Sequence, residues 1–162
     1  MKRVLMIRHA KSSWALTGQE DFERPLNDRG HRDAPMMAER LRKSDLQIDA
    51  FISSPANRAL TTAVYFAKEY GVHKKDIDQR KELYHAMPAV FFELIDKLDD
   101  SIKTAAIFSH NPGITAFVNM LSQAQIDNMP TCAVFAVKAD IKHWKDFRDA
   151  VKDFWFFDYP KS

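Results

Sequence analysis

The sequence predicts an α/β protein built as three layers, α/β/α, around a mostly parallel central sheet. Short continuous apolar runs at residues 4–7, 50–52 and 105–108 have the composition of strands buried on both faces. Each is followed by a longer segment whose apolar side chains recur at helical spacing, and strands that alternate with helices layer in parallel. The length of 162 residues suits one domain, and no linker, repeat or low-complexity stretch interrupts it. Residues 1–162 are therefore read as a single domain.

Val4, Leu5, Met6 and Ile7 form the first predicted strand, and the polar stretch 11–24 reads as a long surface loop. A helix ending near Lys43 follows, with Met36, Met37, Ala38 and Leu41 on its inner face. Asn27 is the candidate cap for a start at Asp28, with Pro35 interrupting the hydrogen-bond ladder. Ala50, Phe51 and Ile52 give the second strand. Ser54 then reads as an N-cap with Pro55 at the first helical position, where its missing N–H costs nothing. The helix behind it places Leu60, Ala63, Val64, Ala67 and Tyr70 on one side and stops at Gly71.

Residues 77–83 read as a short strand, and Val90, Phe91, Leu94, Ile95 and Leu98 mark an amphipathic helix. Residues 105–108 are the third buried strand. Asn111-Pro112 repeats the cap-plus-proline start for a helix carrying Ile114, Phe117, Val118 and Leu121. Residues 133–137 form a fourth apolar strand. Phe154-Trp155-Phe156-Phe157 is read as a last strand whose aromatic rings pack on a neighbouring helix.

An apolar fraction of 46% with 28% charged residues is ordinary for a soluble globular protein. A net charge of +2 with scattered lysines and arginines leaves no electrostatic footprint for nucleic acid or a membrane surface. No apolar run approaches a membrane span, and the opening one ends after four residues at Arg8-His9, too short for a secretory signal. The single cysteine, Cys132, excludes an internal disulfide and reads as a small buried side chain. A cytoplasmic protein with neither nucleic-acid nor membrane partner is expected.

The polar residues fall at informative places. Arg8-His9 follows the first strand, Ser53-Ser54 the second, and Ser109-His110-Asn111 the third, with Arg58 on the first turn behind the second. Ligands of open α/β sheets bind outside the carboxyl ends of the strands. Helix N-termini and the planar forks of arginines there favour an oxyanion. A neutral imidazole among cationic donors is a competent nucleophile toward phosphorus, and nearby arginines keep it unprotonated. A metal site is the rival reading for two histidines, but neither has the carboxylate neighbours that hard or catalytic metals favour. From the residues alone the sequence reads as an oxyanion-binding α/β domain with a histidine nucleophile.

Leu5-Met6-Ile7-Arg8-His9-Ala10-Lys11-Ser12 resembles the Arg-His-Gly signature of the histidine phosphatase, or phosphoglycerate mutase-like, superfamily. Arg24-Pro25-Leu26-Asn27-Asp28-Arg29-Gly30 is similar to its Pro-Leu-(Thr/Asn)-x-x-Gly element. Ser54-Pro55-Ala56-Asn57-Arg58-Ala59-Leu60-Thr61-Thr62-Ala63 resembles its Ser-Pro-x-x-Arg-Ala-x-x-Thr-Ala segment. Ser109-His110-Asn111-Pro112-Gly113 resembles the second histidine motif of the short, SixA-type branch. The four run in the family's order.

The resemblance implies that His9 is the phosphorylated nucleophile and that Arg8, Arg58 and His110 hold the phosphoryl oxygens through the transition state, with Asn111 and Ser12 beside them. It implies Glu82 as the acid for the leaving group, with His85 lining the same pocket. It implies no metal and no organic cofactor. His31, His73 and His143 match no motif and are expected in solvent. Ala10 replaces the usual glycine, and Ala15 stands where many members carry a phosphate-holding asparagine; Lys11 and Ser12 are the candidates to offset that loss, with a solvated Lys11 as the alternative reading. The short chain leaves little for a lid, and an open pocket suits a phosphorylated protein carrying phosphohistidine. A small phosphoester is the alternative substrate, and a phosphate-binding module without turnover is the alternative outside enzymes. Inorganic phosphate is the expected product.

Overall fold

Side-chain alternation along β1 (Lys2–Arg8) sets the layering of the molecule. Val4 and Met6 belong to one buried cluster, Leu5 and Ile7 to another, because successive side chains of a strand point to opposite faces. The computed structural model describes residues 1–14 and 18–161. In chain order β1 is followed by α1 (Asp28–Lys43), β2 (Ala50–Ser53), α2 (Asn57–Glu69), β3 (Asp78–Gln79) and α3 (Pro88–Asp96). Then come β4 (Thr104–Ser109), α4 (Gly113–Val118), β5 (Val134–Ala139) and β6 (Lys152–Asp158).

The strands form one sheet in the order β3-β2-β4-β1-β5-β6. β3, β2, β4 and β1 run parallel, while β5 is antiparallel to β1 and β6 to β5. Helices α1 and α2 cover the face of Leu5 and Ile7 through Ala34, Met37, Leu41, Ala63 and Phe66. Helices α3 and α4 cover the opposite face through Phe91, Ile95, Ile114 and Phe117. This is the α/β/α sandwich with a mostly parallel sheet that the sequence predicts. Among the described residues no helix is long and apolar enough to cross a membrane.

Register brings the polar strand ends together. Arg8 pairs with Ser109, and Ser53 pairs with Phe108, so the chain leaves β1, β2 and β4 side by side at one edge.

Several local expectations are corrected. Asn27 does cap α1, accepting from the Gly30 N–H at 2.9 Å, and Pro35 lies inside that helix, which continues past it. Helix α2, however, starts at Asn57 and not at Pro55, and Ser54 is not its cap. The reason is that the Ser54 N–H still donates to the Phe108 carbonyl at 3.0 Å, so sheet pairing extends through Ser54 before the chain turns. Helix α4 starts at Gly113, and no side chain caps it; Leu121 lies beyond its end. Of residues 77–83 only two are strand, and a 3₁₀ turn (Lys81–Leu83) follows. In β6 a register shift opposite Ala136 and Val137 turns Trp155 and Phe156 toward the α1–α2 side, with Phe154 and Phe157 beside Phe135 on the other. Arg40 of α1 pairs with Asp158 at 3.0 Å and fastens this edge strand to the helix.

Candidate active site

The main chain around His9 is fixed from three directions. Its N–H donates to the Ser109 carbonyl at 3.2 Å, and its carbonyl accepts from the Cys132 N–H at 3.0 Å. The next N–H, of Ala10, donates to Thr62 Oγ1 at 3.0 Å, and that hydroxyl donates to the Arg58 carbonyl at 2.8 Å. Thr62 thus clamps the His9 loop onto the first turn of α2, which carries Arg58. Ala10 is fully buried and is not among the positive-φ residues, so its Cβ sits without backbone strain where the family has glycine. Gly113 has no such latitude: a Cβ there would lie 1.7 Å from the Ala86 carbonyl oxygen, so only glycine lets α4 pack behind His110.

The His9 ring, on a residue 5% exposed, has Nδ1 2.8 Å from its neighbour's carbonyl, that of Ala10. A carbonyl only accepts, so Nδ1 carries the proton and Nε2 keeps a free lone pair. The ring's pKa is pushed down to about 3, first by burial and then by the charges of Arg8, Arg58 and Arg24, against an opposing contribution from the Ala10 hydrogen bond. The sequence reading credited the arginines alone; burial is the larger cause. His110 lies with its ring centre 5.3 Å from that of His9, and its Nε2 is 2.8 Å from Ser54 Oγ. Its pKa is likewise lowered, by burial first and then by His9 and Arg58.

Cationic donors surround this pair. Arg58 is 6% exposed and donates from its two terminal nitrogens to the main-chain carbonyl of Asp21 at 2.7 Å and to Asp21 Oδ2 at 3.0 Å. Arg8 donates to the Met129 carbonyl at 2.8 Å. Among the described residues four buried side-chain nitrogens lack a partner, and Arg8 Nε, Arg58 Nε and His110 Nδ1 are three of them. Leaving buried polar nitrogens unmatched is costly, and their concentration on these residues sets this place apart from the rest of the described core.

A pocket of 330 Å³ joins these groups, lined by Arg8, His9, Ser12, Arg58, His110 and Asn111 among others. The sequence-selected residues meet here with one exception. Glu82 is exposed on the 3₁₀ turn after β3 and lines a separate depression with Arg80 and Glu93, so it is not a wall of this pocket. Asn111 lines the pocket, but its amide donates to Asn128 and Met129 and its carbonyl accepts from Thr115, which leaves the side chain engaged elsewhere. Ser12 Oγ accepts from Arg24 at 2.6 Å and so acts on the pocket through that arginine. Lys11 and His85 are exposed at the mouth. Ala15 lies outside the described residues. His31, His73 and His143 are exposed, and Cys132 is buried with its thiol pKa pushed up by burial. No three metal-binding side chains converge among the described residues.

Sequence reasoning missed five wall residues: Trp14, Asp21, Arg24, Tyr84 and Thr131. Arg24 is buried, donates to Asp21 Oδ1 at 3.1 Å, and lies 3.5 Å from the centre of the Trp14 ring. Tyr84 donates to Asp21 Oδ2 at 2.6 Å. Burial opposes ionisation of Asp21, but hydrogen bonds from Tyr84, Arg58 and Arg24 outweigh it and hold the carboxyl below the usual carboxylate range. The available signal was the i, i+3 spacing of Asp21 and Arg24 in the loop after β1, a pattern that solvated pairs share.

The model of the histidine phosphatase superfamily (branch 1) matches residues 4–86, just over half of the chain. An uncharacterised protein of Mycobacterium tuberculosis is 28% identical over 150 residues, which cover 86% of this chain and 90% of the relative. A structure of a protein assigned as the phosphohistidine phosphatase SixA of Agrobacterium tumefaciens superposes with a TM-score of 0.83 at 25% identity, covering 98% of both chains. A protein histidine phosphatase SixA in complex with tungstate shares the fold, with a TM-score of 0.80 at 20% identity over 98% of this chain and 97% of that one.

Proposed function

The chain belongs to the histidine phosphatase superfamily, and on that premise we propose that it is a metal-independent phosphatase acting on protein-borne phosphohistidine through a phospho-His9 intermediate. The observation that carries this reading is the His9 ring, with Nδ1–H committed to the Ala10 carbonyl and a neutral Nε2 in a pocket of arginines.

In the first step the Nε2 lone pair forms a bond to phosphorus as the bond from phosphorus to the leaving group breaks. The phosphorylated ring takes on positive charge, which its Nδ1–H shares with the Ala10 carbonyl. Arg8, Arg58, His110 and Arg24 stabilise the spread of negative charge over the phosphoryl oxygens, the main demand of phosphoryl transfer. Water then attacks phosphorus, the N–P electrons return to Nε2, and inorganic phosphate leaves carrying both protons of that water.

The substrate preference rests on the pocket's acids. Glu82 stands outside it, and Asp21, a carboxylate that lines it, is held ionised. An alkoxide leaving group needs a proton from such a group, whereas phosphohistidine protonated on its remote nitrogen departs as neutral imidazole. A small phosphomonoester is the second reading, and the pocket volume of 330 Å³ favours it, since it falls in the range of small-molecule sites.

Mass spectrometry after brief mixing with phosphoramidate under non-acidic conditions tests the mechanism. A phosphate-sized increment on His9, absent in His9→Ala and lost on chase, is expected. Turnover without that increment would overturn it. Hydrolysis of ethyl phosphate as fast as that of a phosphohistidine peptide would select the second reading.

A further inference from the structure

Asp21 completes an anion-binding site of its own. Arg24 Nε, Arg58 Nη2 and the Tyr84 hydroxyl all converge on its carboxylate, at 3.1, 3.0 and 2.6 Å, and Arg58 Nη1 also takes its main-chain carbonyl. The carboxylate is half exposed toward the pocket it lines, and the charges of both of its arginine partners also reach His9. Two guanidinium groups and a hydroxyl on one carboxylate are the donors by which a protein binds a substrate's acid group. Here the chain supplies that acid itself.

We infer that Asp21 is a specificity-determining residue: it fills the anion subsite beside the phosphoryl seat and thereby excludes substrates that carry a second acidic group next to the phosphate. The inference uses the proposed function only to place the phosphoryl group at His9, and it narrows the substrate class of that reading. A phosphorylated imidazole on a peptide brings no second anion near phosphorus and enters freely. A phospho-carboxylate or bisphosphate meets a fixed negative charge where its second group would sit, and like charges juxtaposed in a partly desolvated site cost affinity. The general field of the pocket points the other way, since Arg8, Arg24, Arg58 and Lys11 would attract the more highly charged ligand. Discrimination against it therefore reports Asp21 and not net charge.

Calorimetric binding of ethyl phosphate and 2-phosphoglycolate to the full chain separates these possibilities. The two ligands share the phosphoester and differ by a methyl against a carboxylate. The wild-type protein should bind phosphoglycolate at least roughly tenfold more weakly, a difference of about 1.4 kcal/mol. Asp21→Asn should abolish or reverse that preference, read as the ratio of the two affinities within the same variant. Equal binding of the two ligands by wild type, which needs no variant, would overturn the inference. So would an unchanged preference in Asp21→Asn, or loss of all phosphate binding, which would make Asp21 only a scaffold for the arginines. A parallel gain for both ligands would place Asp21 in the phosphoryl seat itself and also overturn it. Binding is read without turnover, so failure of the proposed catalytic reading, seen as unphosphorylated His9, remains a separate result.

Discussion

The floor and the rim of the pocket are built in opposite ways. On the floor, Arg8, His9 and His110 sit at or just past the ends of adjacent parallel strands, and Arg58 sits on the first turn of α2. Their main chains are fixed by sheet pairing or by the Thr62 clamp, and their side chains are buried or nearly so. The rim comes from the loop after β1 and the turn after β3. Trp14 is 75% exposed, Lys11 and His85 are exposed, and Asp21 ties the first segment to the second through Tyr84 and to the floor through Arg58. On the proposed reading, a rigid floor preorganises donors for charge that develops at phosphorus. The rim meets whatever carries the phosphate, so changes on the floor should act on chemistry and changes at the rim on selection.

The sharpest break of that division is His9→Ala. It should lower phosphohistidine turnover at least about a thousandfold and leave a folded protein, checked by single-turnover kinetics and circular dichroism. Residual turnover within tenfold of wild type would remove the nucleophile from the floor. Arg58→Ala should cost roughly a hundredfold or more in kcat/KM, as loss of a charged donor to a developing oxyanion does. A loss confined to KM would move Arg58 to the rim.

The pH dependence probes burial of the floor directly. His9 is neutral down to a pKa of about 3 in the free protein, against 6.5 for an ordinary histidine. Its phosphorylation rate, corrected for ionisation of the donor, should therefore stay flat as pH falls from 7 to about 5 and drop only in stronger acid. An acid limb near 6.5 would show an exposed nucleophile. Stability, unlike the rate, falls across that range: unfolded histidines take up protons below about 6.5 that the buried pair does not, so acidification favours the unfolded chain. His110→Asn should shrink the fall in Tm between pH 7 and 5.

At the rim, Trp14→Leu removes the ring stacked on Arg24 and should change kcat/KM only about two- to fivefold, in keeping with an exposed cation–π contact. The smallest effect is expected for Glu82→Gln, less than about twofold in phosphohistidine turnover, because the side chain lies in a different depression. A tenfold loss there would restore it as the acid.

The legibility of the site in the sequence follows the same division. Arg8, His9, Arg58 and His110 were readable because each is tied to a local signal, a buried apolar run that ends or a helix that begins. Their convergence follows from parallel strands in register, a regular geometry that pattern alone implies. Glu82 misled because position along the chain after a strand does not say which way a 3₁₀ turn faces. Asn111 was readable as a neighbour, but nothing local shows that its amide bonds to Asn128 and Met129.

The helix starts show how tertiary contacts override local preference. Ser54-Pro55 has the local chemistry of a cap, yet pairing with Phe108 keeps Ser54 in the sheet edge and frees its hydroxyl for His110. The direction of β5 and the bulge in β6 were likewise absent from the hydrophobic pattern, because period-two burial is the same for parallel and antiparallel neighbours.

By itself the sequence determined the layered α/β fold, the family and the histidine and arginine floor, since apolar periodicity, glycine placement and strand-end motifs are local properties of the chain. Only the tertiary structure decided that Asp21 sits on Arg24, Arg58 and Tyr84, the last two 37 and 63 residues away, and that Glu82 does not reach the pocket. The physical reason is that a charged loop residue has many solvated conformations of similar energy, and only partners brought from distant segments select one of them.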